Sequence, residues 1–206
     1  MSYNISDKEQ IQVIKDWWKK NGKVIILGII LFLVLNSSVI YMRKYNAQYK
    51  TNASDTYTRL ISSQSQNKID EVKLFADELQ KKYPRSIYAS LGLLIQAKNE
   101  VEKGKLDSAF NDLMWIINKH KDTKISQIAR LRAARILLSE NKPQEALKLV
   151  NKIDDDSYQV AIDELKGDIA LSMQNKNTAL KEYQHALDGS VKLDIKSPLL
   201  NMKAKS

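Results

Sequence analysis

The sequence predicts an all-α protein in which a single transmembrane helix is followed by an α-solenoid of about four helical hairpins. The chain has only 6 Gly and 3 Pro in 206 residues, too few for the many tight turns of a β-sandwich or barrel. One apolar run is long enough to cross a bilayer. The rest of the sequence repeats with a period close to 34 residues, which is typical of stacked helical hairpins.

The N-terminal tail, residues 1–23, predicts a short amphipathic helix. Ser6 and Glu9 have the spacing of a capping box, and Asn21 with Gly22 is typical of a helix stop. Bulky side chains recur at helical spacing between these points, at Ile11, Ile14 and Trp18. Two interpretations of this stripe remain open: contact with the membrane surface and docking against a partner.

The apolar run, residues 24–42, predicts the transmembrane helix. It contains 19 consecutive uncharged residues, which span about 28 Å as a helix and match the hydrocarbon core of a bilayer. Aromatic side chains flank the run, as interfacial anchoring requires: Trp17, Trp18, Tyr41 and Tyr45. A cleaved signal peptide is the alternative, but residues 39–42 read Val-Ile-Tyr-Met rather than a small-x-small cleavage site.

The charge pattern gives only a weak indication of orientation, because Lys and Arg flank both ends of the run. Lys19, Lys20 and Lys23 directly precede the run after a short tail. This arrangement favours a cytoplasmic N-terminus. It therefore places the large C-terminal domain outside the cytoplasm.

The soluble part predicts hairpins of the tetratricopeptide type. Small or β-branched residues recur 37, 37 and 33 residues apart, at Val72, Ala109, Ala146 and Ala179. Twelve residues before each lie Leu60, Ala97, Ala134 and Gly167, and four residues after each lie Ala76, Leu113, Val150 and Tyr183. Small side chains are needed where the two helices of a hairpin cross closely. We assign residues 43–52 to a juxtamembrane linker, residues 53–189 to the repeat domain and residues 190–206 to a C-terminal tail.

The amino-acid inventory predicts no enzyme, no cofactor and no metal site. With no Cys and two His, thiolate and histidine-rich chemistry is unavailable, and no phosphate-binding loop or nucleophile motif stands in a fitting context. The acidic run at residues 154–156 lacks the alternating ligands of a calcium loop, so we interpret it as a capped turn. The net charge of +9 divides into +4 for residues 1–46 and +5 for residues 47–206, with no basic stripe, so nucleic-acid binding is not expected.

Two short segments at opposite ends of the chain add a family resemblance. Residues 15–23 read Lys-Asp-Trp-Trp-Lys-Lys-Asn-Gly-Lys and directly precede the apolar run, and residues 197–203 read Ser-Pro-Leu-Leu-Asn-Met-Lys. Together with one span and the repeats, they resemble the YfgM family, the ancillary subunit of the bacterial SecYEG translocon. The chain departs from the usual acidic ending of this family, because it carries Lys203 and Lys205.

The resemblance implies an inner-membrane protein with a cytoplasmic N-terminus and periplasmic repeats. It implies association with Sec translocon subunits and with a membrane-anchored peptidyl-prolyl isomerase-like chaperone. The protein would help to pass emerging, unfolded client proteins to periplasmic chaperones. A role in restraining a stress-response regulator is implied less directly. The alternative function is that of a structural or adaptor partner in another inner-membrane or envelope assembly.

Partner-binding residues are predicted on two surfaces, in addition to contact with the lipid bilayer. Trp17 and Trp18, together with the span, are expected to carry part of the translocon association. In the repeats, the first helix of each hairpin lines a concave surface. Four residues are expected to form a groove there: Leu94, Lys98, Leu131 and Arg135. Leu91 and Ile128 are assigned to the core, and the convex face and the C-terminal tail are the alternative contact surfaces.

Overall fold

The computed structural model describes residues 7–120, 123–154, 156–195 and 197–205 of the chain. This part of the chain consists of helices joined by short turns, and it contains no strand. A single 3₁₀ turn (Asp156–Tyr158) directly precedes the seventh α-helix. The α-helices are α1 (Asp7–Ser65), α2 (Ile69–Lys82), α3 (Ile87–Glu102), α4 (Leu106–Lys119), α5 (Lys124–Ser139), α6 (Pro143–Val150), α7 (Gln159–Ser172), α8 (Lys176–Lys192) and α9 (Pro198–Lys203). The all-α prediction is confirmed.

Helix α1 runs without interruption, so the helix stop predicted at Asn21 and Gly22 is wrong. A single Gly inside a helix costs only about 1 kcal/mol relative to Ala, too little to end a helix that continues in favourable residues on both sides. The ring of Trp18 packs over Gly22, where an added Cβ would lie 3.2 Å from the ring. The predicted capping residue Ser6 lies outside the described residues.

Helix α1 also contains the predicted membrane span. Among the described helices it is the one long and apolar enough to cross a bilayer, and none of its apolar window is buried within the protein. Two polar side chains in this window bond to the carbonyl one turn earlier: Asn36 donates to Phe32 O at 3.1 Å and Ser38 donates to Val34 O at 2.8 Å. These bonds lower the cost of placing polar groups in hydrocarbon.

The described residues divide into two compact units between Asn52 and Ala53. The first unit contains the apolar part of α1. The second unit contains four helix pairs. Three of them are α3 with α4, α5 with α6, and α7 with α8, and in the fourth, residues 53–65 of α1 pack with α2 in one core cluster. Each pair also packs on the next one along the chain, so the second unit is a stack of four hairpins, as predicted.

The repeat register predicted from the sequence coincides with the core of this stack. All twelve register positions are buried, from Leu60 and Val72 in the first hairpin to Gly167 and Tyr183 in the fourth. The close helix crossing explains the preference for small residues. An added Cβ at Gly167 would overlap the ring of Tyr183, which packs directly against it.

The turn inside each hairpin contains one residue in the left-handed backbone region. These residues are Asn67 (φ 57°), Gly104 (φ 72°), Asn141 (φ 60°) and Gln174 (φ 60°). They are spaced 37, 37 and 33 residues apart, the same intervals as the register positions. The residue after each one donates its backbone N–H to a carbonyl near the end of the preceding helix, as in Lys105 N to Glu100 O at 2.8 Å. The positive φ in the turn therefore recurs with the same period as the sequence repeat. Gly and Asn are the residues best suited to a positive φ.

The C-terminal segment adds a ninth helix to the stack. Helix α9 begins at Pro198, and the hydroxyl of Ser197 accepts a hydrogen bond from Leu200 N. The side chain of Leu200 is fully buried in a cluster with Ala170, Tyr183 and other residues of the last hairpin. A short amphipathic helix thus covers the fourth hairpin.

Candidate partner-binding groove

A surface groove of the repeat unit lies between α3, α4 and α5. It has a volume of about 380 Å³, within the range of roughly 300–1,000 Å³ that is usual for binding pockets. Its walls are mainly apolar, and they include Val101, Leu106, Leu113 and Ile136. Charged side chains also line it: Lys98 and Glu102 from α3, and Arg132 and Arg135 from α5.

The structure brings two of the predicted contact residues together at this groove. Lys98 and Arg135 occupy equivalent positions in consecutive hairpins, one residue after the small residues Ala97 and Ala134. Both side chains are exposed. Lys98 Nζ lies 3.6 Å from Glu102 Oε1, and both of these side chains are more than 60% exposed. Such an exposed pair contributes little free energy, so Lys98 remains available to a competing anion.

Leu94 and Leu131, which were expected to form the groove with Lys98 and Arg135, are buried and do not line it. Leu94 is 7% exposed and packs in a core cluster with Ala129 and Ala133 of the next hairpin. Leu131 is 5% exposed and packs in a second cluster with Ile162 of the fourth hairpin's first helix. Both residues lie on the side of the first helix that faces the following hairpin. In a stack, the first helix packs both within its own hairpin and against the next one, so this side is buried too. Leu91 and Ile128, which were assigned to the core, are partly buried and pack against the first of these clusters.

Arg132 is a groove residue that sequence reasoning missed. Its Nη1 donates to the carbonyl oxygen of Leu94 at 3.1 Å, which joins α5 to α3 at the groove. Partial burial, and next the adjacent positive charge of Arg135, lower the pKa of Arg132. In the sequence, the signal that could have identified Arg132 is its position three residues before Arg135. This spacing places both guanidinium groups on the same helix face. Together they concentrate positive charge beside an apolar wall.

The fourth hairpin uses the equivalent positions to hold helix α9. In the repeat register, Glu164 of α7 corresponds to Leu94 and Leu131. Asp168 of α7 corresponds to Lys98 and Arg135. Lys203 Nζ of α9 lies 2.9 Å from Glu164 Oε1 and 2.7 Å from Asp168 Oδ1. Tyr183 Oη also donates to Asp168 Oδ1 at 2.8 Å, and Lys203 lies 5.5 Å from the centre of the Tyr183 ring. Although burial opposes its charge, these carboxylates raise the pKa of Lys203.

The two tryptophans predicted to contact a partner lie in the first unit. Trp17 is 54% exposed and Trp18 is 50% exposed. Ile11 and Ile14 are also exposed, at 53% and 65%, so about half or more of each side chain in the apolar stripe of the tail is uncovered. An exposed stripe of this kind fits either a membrane surface or another protein.

A second group of ionisable side chains lies between α2, α3 and α4. Glu100 is only 7% exposed, accepts a hydrogen bond from Ser108 Oγ at 2.6 Å and lies 3.7 Å from Lys73 Nζ. Burial, and next the charge of Glu100, raise the pKa of Asp112 to about 7, with Lys73 opposing the shift. Within the described residues, neither Asp112 Oδ2 nor Glu100 Oε2 has a hydrogen-bond partner. The ionised form of Asp112 is therefore disfavoured in the folded second hairpin.

Within the acidic run at residues 154–156, residue 155 lies outside the described part of the chain. Asp154 accepts a hydrogen bond from Gln127 Nε2 at 2.7 Å, which ties the turn after α6 to α5. Among the described residues, no group of three or more His, Asp or Glu side chains could hold a metal ion.

The fold and the groove define a helical repeat protein with one candidate membrane span at its N-terminal end. The family model of the tetratricopeptide repeat-like domain matches residues 15–206. The chain belongs to this family.

Named relatives match the chain over nearly its whole length. The ancillary SecYEG translocon subunit of Haemophilus influenzae is 27% identical over 94% of this chain and 95% of its own. The protein of the same name from Neisseria gonorrhoeae is 26% identical over 100% and 99%, and that of Escherichia coli is 24% identical over 96% and 93%. These matches confirm the resemblance to the YfgM family noted at the two ends of the chain.

Proposed function

We propose that the chain is an ancillary subunit of the Sec translocon, a membrane-tethered interaction module that binds other proteins rather than performing catalysis. One observation carries this proposal. Relatives that bear this name match both the segment with the candidate membrane span and the whole stack of hairpins, over 93% or more of their own length. A match to the repeats alone would support only a general binding role, because one fold serves many functions.

We place the protein in the bacterial inner membrane as a single-pass protein. The N-terminal tail is cytoplasmic in this proposal, and the hairpins lie in the periplasm. The lysines that precede the apolar run support this orientation. The hairpins are then on the side of the membrane where translocated chains emerge.

In this arrangement the protein helps to hand emerging proteins to periplasmic chaperones. A membrane-anchored peptidyl-prolyl isomerase-like chaperone is the partner proposed for the groove, where Lys98 and Arg135 are exposed. Tethering confines the groove to the membrane surface. Confinement of this kind produces effective concentrations in the mM range, so weak contacts with passing clients suffice for function.

The tail and the span are proposed to carry part of the translocon contact. We expect that replacing residues 1–46 with an unrelated single-span anchor lowers the recovery of SecY, SecE and SecG with the affinity-tagged chain at least threefold. A second variant, Trp17→Ala with Trp18→Ala in the native anchor, is expected to give an intermediate loss. The exposure of both indole rings is the reason for this expectation. Quantitative mass spectrometry of mildly solubilised membranes provides the measurement.

The control for this experiment is the native anchor carrying Lys8→Ala and Lys44→Ala, which changes charge but keeps the aromatic residues. Unchanged recovery of the translocon with the foreign anchor would show that the hairpins alone suffice. Recovery of a different envelope complex in place of the translocon, with the native chain, would contradict the proposed function itself.

A further inference from the structure

The apolar run of α1 contains one amide side chain, that of Asn36, and its hydrogen-bonding groups are only partly used. One amide N–H of Asn36 donates to Phe32 O at 3.1 Å. A side-chain amide has two N–H donors and one acceptor oxygen. The second N–H and the oxygen Oδ1 of Asn36 therefore have no partner among the described residues. By contrast, the single hydroxyl proton of Ser38 is already used in its bond to Val34 O at 2.8 Å.

The position of Asn36 within the run keeps these polar groups away from water. Asn36 lies twelve residues after Val24 and six residues before Met42, which corresponds to about 18 Å and about 9 Å along a helix. Its side chain is too short to reach the aqueous interface over either distance. An amide group without a hydrogen-bond partner is costly in hydrocarbon. At this depth in a bilayer, the side chains and backbone of another helix can supply the partner.

The side chains that share a face with Asn36 have the spacing of a helix–helix contact. Five residues, separated by alternating intervals of three and four, form this Asn36 face: Ile26, Ile29, Leu33, Asn36 and Ile40. These intervals are those of the a and d positions in a coil of two helices, and all five side chains are exposed. The next position in the series is Arg43, so like charges would end a parallel contact at the edge of the apolar run.

We propose that two copies of the chain associate in the membrane through the Asn36 face of α1, with their two Asn36 amides hydrogen-bonded to each other. This inference rests on the membrane span of the proposed function, and it adds a second copy of the chain as a partner.

The chemistry of the amide favours a second copy as the occupant of the Asn36 face. Two amides are complementary to each other, because the N–H of each can donate to the oxygen of the other. The chain already contains such a reciprocal pair: Gln64 Nε2 donates to Asn99 Oδ1 at 3.2 Å, and Asn99 Nδ2 donates to Gln64 Oε1 at 2.7 Å. Two copies inserted in the same direction place both Asn36 side chains at the same depth. A helix of another protein would need a polar residue of its own at that depth.

The test measures association of the full chain in lipid vesicles by energy transfer between two dyes. The chain contains no Cys, so Lys50→Cys, at an exposed position of α1 beyond the run, takes a donor dye in one preparation and an acceptor dye in another. We expect energy transfer that increases with the protein-to-lipid ratio. Asn36→Ala is expected to raise the apparent dissociation constant at least fivefold. Asn36→Gln keeps an amide and is expected to raise it less.

The matched control is Ser38→Ala, which also replaces a polar side chain by Ala. Ser38 lies about 200° around the helix axis from Asn36, and its hydroxyl proton is used within α1. We expect this control to change the apparent dissociation constant less than twofold.

Cysteine crosslinking then identifies the contacting face. Leu33→Cys lies on the Asn36 face, and Leu31→Cys lies about 200° away from it on the same helix. On mild oxidation in vesicles, Leu33→Cys is expected to form a disulfide-linked dimer at least fivefold faster than Leu31→Cys. Adding Asn36→Ala to Leu33→Cys is expected to slow the crosslinking.

Equal energy transfer in the native chain and in Asn36→Ala, or equal crosslinking of Leu33→Cys and Leu31→Cys, would overturn the proposal. Absence of energy transfer in a chain that alkaline carbonate fails to extract from the vesicles would also overturn it, and would leave the Asn36 face to a helix of another protein. Extraction of the chain by carbonate would contradict the membrane span as well. Because the vesicles contain no translocon, a lack of self-association alone leaves the copurification result, and hence the proposed function, to be judged separately.

Discussion

Gly167→Val is expected to destabilise the repeat unit by about 3 kcal/mol or more, because it inserts a branched side chain where α7 and α8 approach closely. Even a single Cβ at Gly167 would overlap the Tyr183 ring. The ring has little freedom to move, since Tyr183 is 2% exposed and its hydroxyl donates to Asp168 at 2.8 Å. Overpacking a well-filled core costs typically 1–3 kcal/mol, and Val adds a small helix-propensity cost. Urea unfolding of the full chain in detergent, followed by circular dichroism, gives the measurement.

The control for Gly167→Val is Lys181→Val at an exposed position of α8, where we expect a loss of less than about 0.5 kcal/mol. A double variant separates crowding from backbone effects. Gly167→Val together with Tyr183→Ala is expected to lose less than the sum of the two single losses, because the ring that obstructs the new side chain is gone. Strict additivity would show that the close approach to Tyr183 is not the cause.

Asp112→Asn is expected to stabilise the repeat unit at pH 8 by about 1–2 kcal/mol and to have little effect near pH 4. Burial, and next the charge of Glu100, raise the pKa of Asp112 to about 7, well above the value of 3.8 for a solvated side chain. The folded state therefore holds the proton more tightly than the unfolded state. The free energy of unfolding consequently falls as the pH rises from about 4 to about 7 and is then constant. The unscreened effect is about 1.4 kcal/mol for each pH unit of the shift, and partial solvent exposure reduces it.

The measurement for Asp112 is a series of urea titrations between pH 4 and pH 8. Asp55→Asn serves as the control, because it removes a carboxylate at an exposed position of α1 within the same compact unit. The native chain and the control are expected to lose stability over the same pH range, whereas Asp112→Asn loses less. A parallel pH dependence in all three chains would contradict the assignment of this effect to Asp112.

Most of the fold could be predicted from the sequence because the repeat is a local signal that recurs four times. Close helix crossings demand small residues at fixed intervals, and the turns demand residues that tolerate a positive φ, such as Gly104 and Asn141. These requirements recur with the same intervals of 37, 37 and 33 residues, so each hairpin supports the interpretation of the others.

The failures of prediction have physical causes in tertiary packing. The sequence signal at Asn21 and Gly22 is typical of a helix stop, but the ring of Trp18 covers Gly22 and the helix continues. Leu94 and Leu131 have the spacing of groove residues, but the next hairpin covers them. Helical periodicity indicates which residues share a face and does not indicate which neighbour that face meets.

The groove could be predicted only in part. The repeat register predicts the positions of Lys98 and Arg135 in the groove. The position of the Arg132 side chain depends instead on a hydrogen bond to a backbone carbonyl of another hairpin. The docking of α9 was also missed, because residues 190–206 contain no further hairpin and were therefore interpreted as a tail. The contact of Lys203 with Glu164 and Asp168 joins residues 39 and 35 positions apart, a distance that local patterns do not encode.

The central proposal is that one N-terminal helix tethers an exported stack of hairpins to the inner membrane, and cysteine accessibility tests it most directly. The chain contains no Cys, so a single introduced thiol reports on one position alone. We expect Lys181→Cys to react with a membrane-impermeant maleimide in cells whose outer membrane has been permeabilised, and Lys15→Cys to react only after the inner membrane is lysed. Labelling of Lys15→Cys in unlysed cells, protection of Lys181→Cys until lysis, or loss of the Lys15→Cys segment by cleavage would contradict the account.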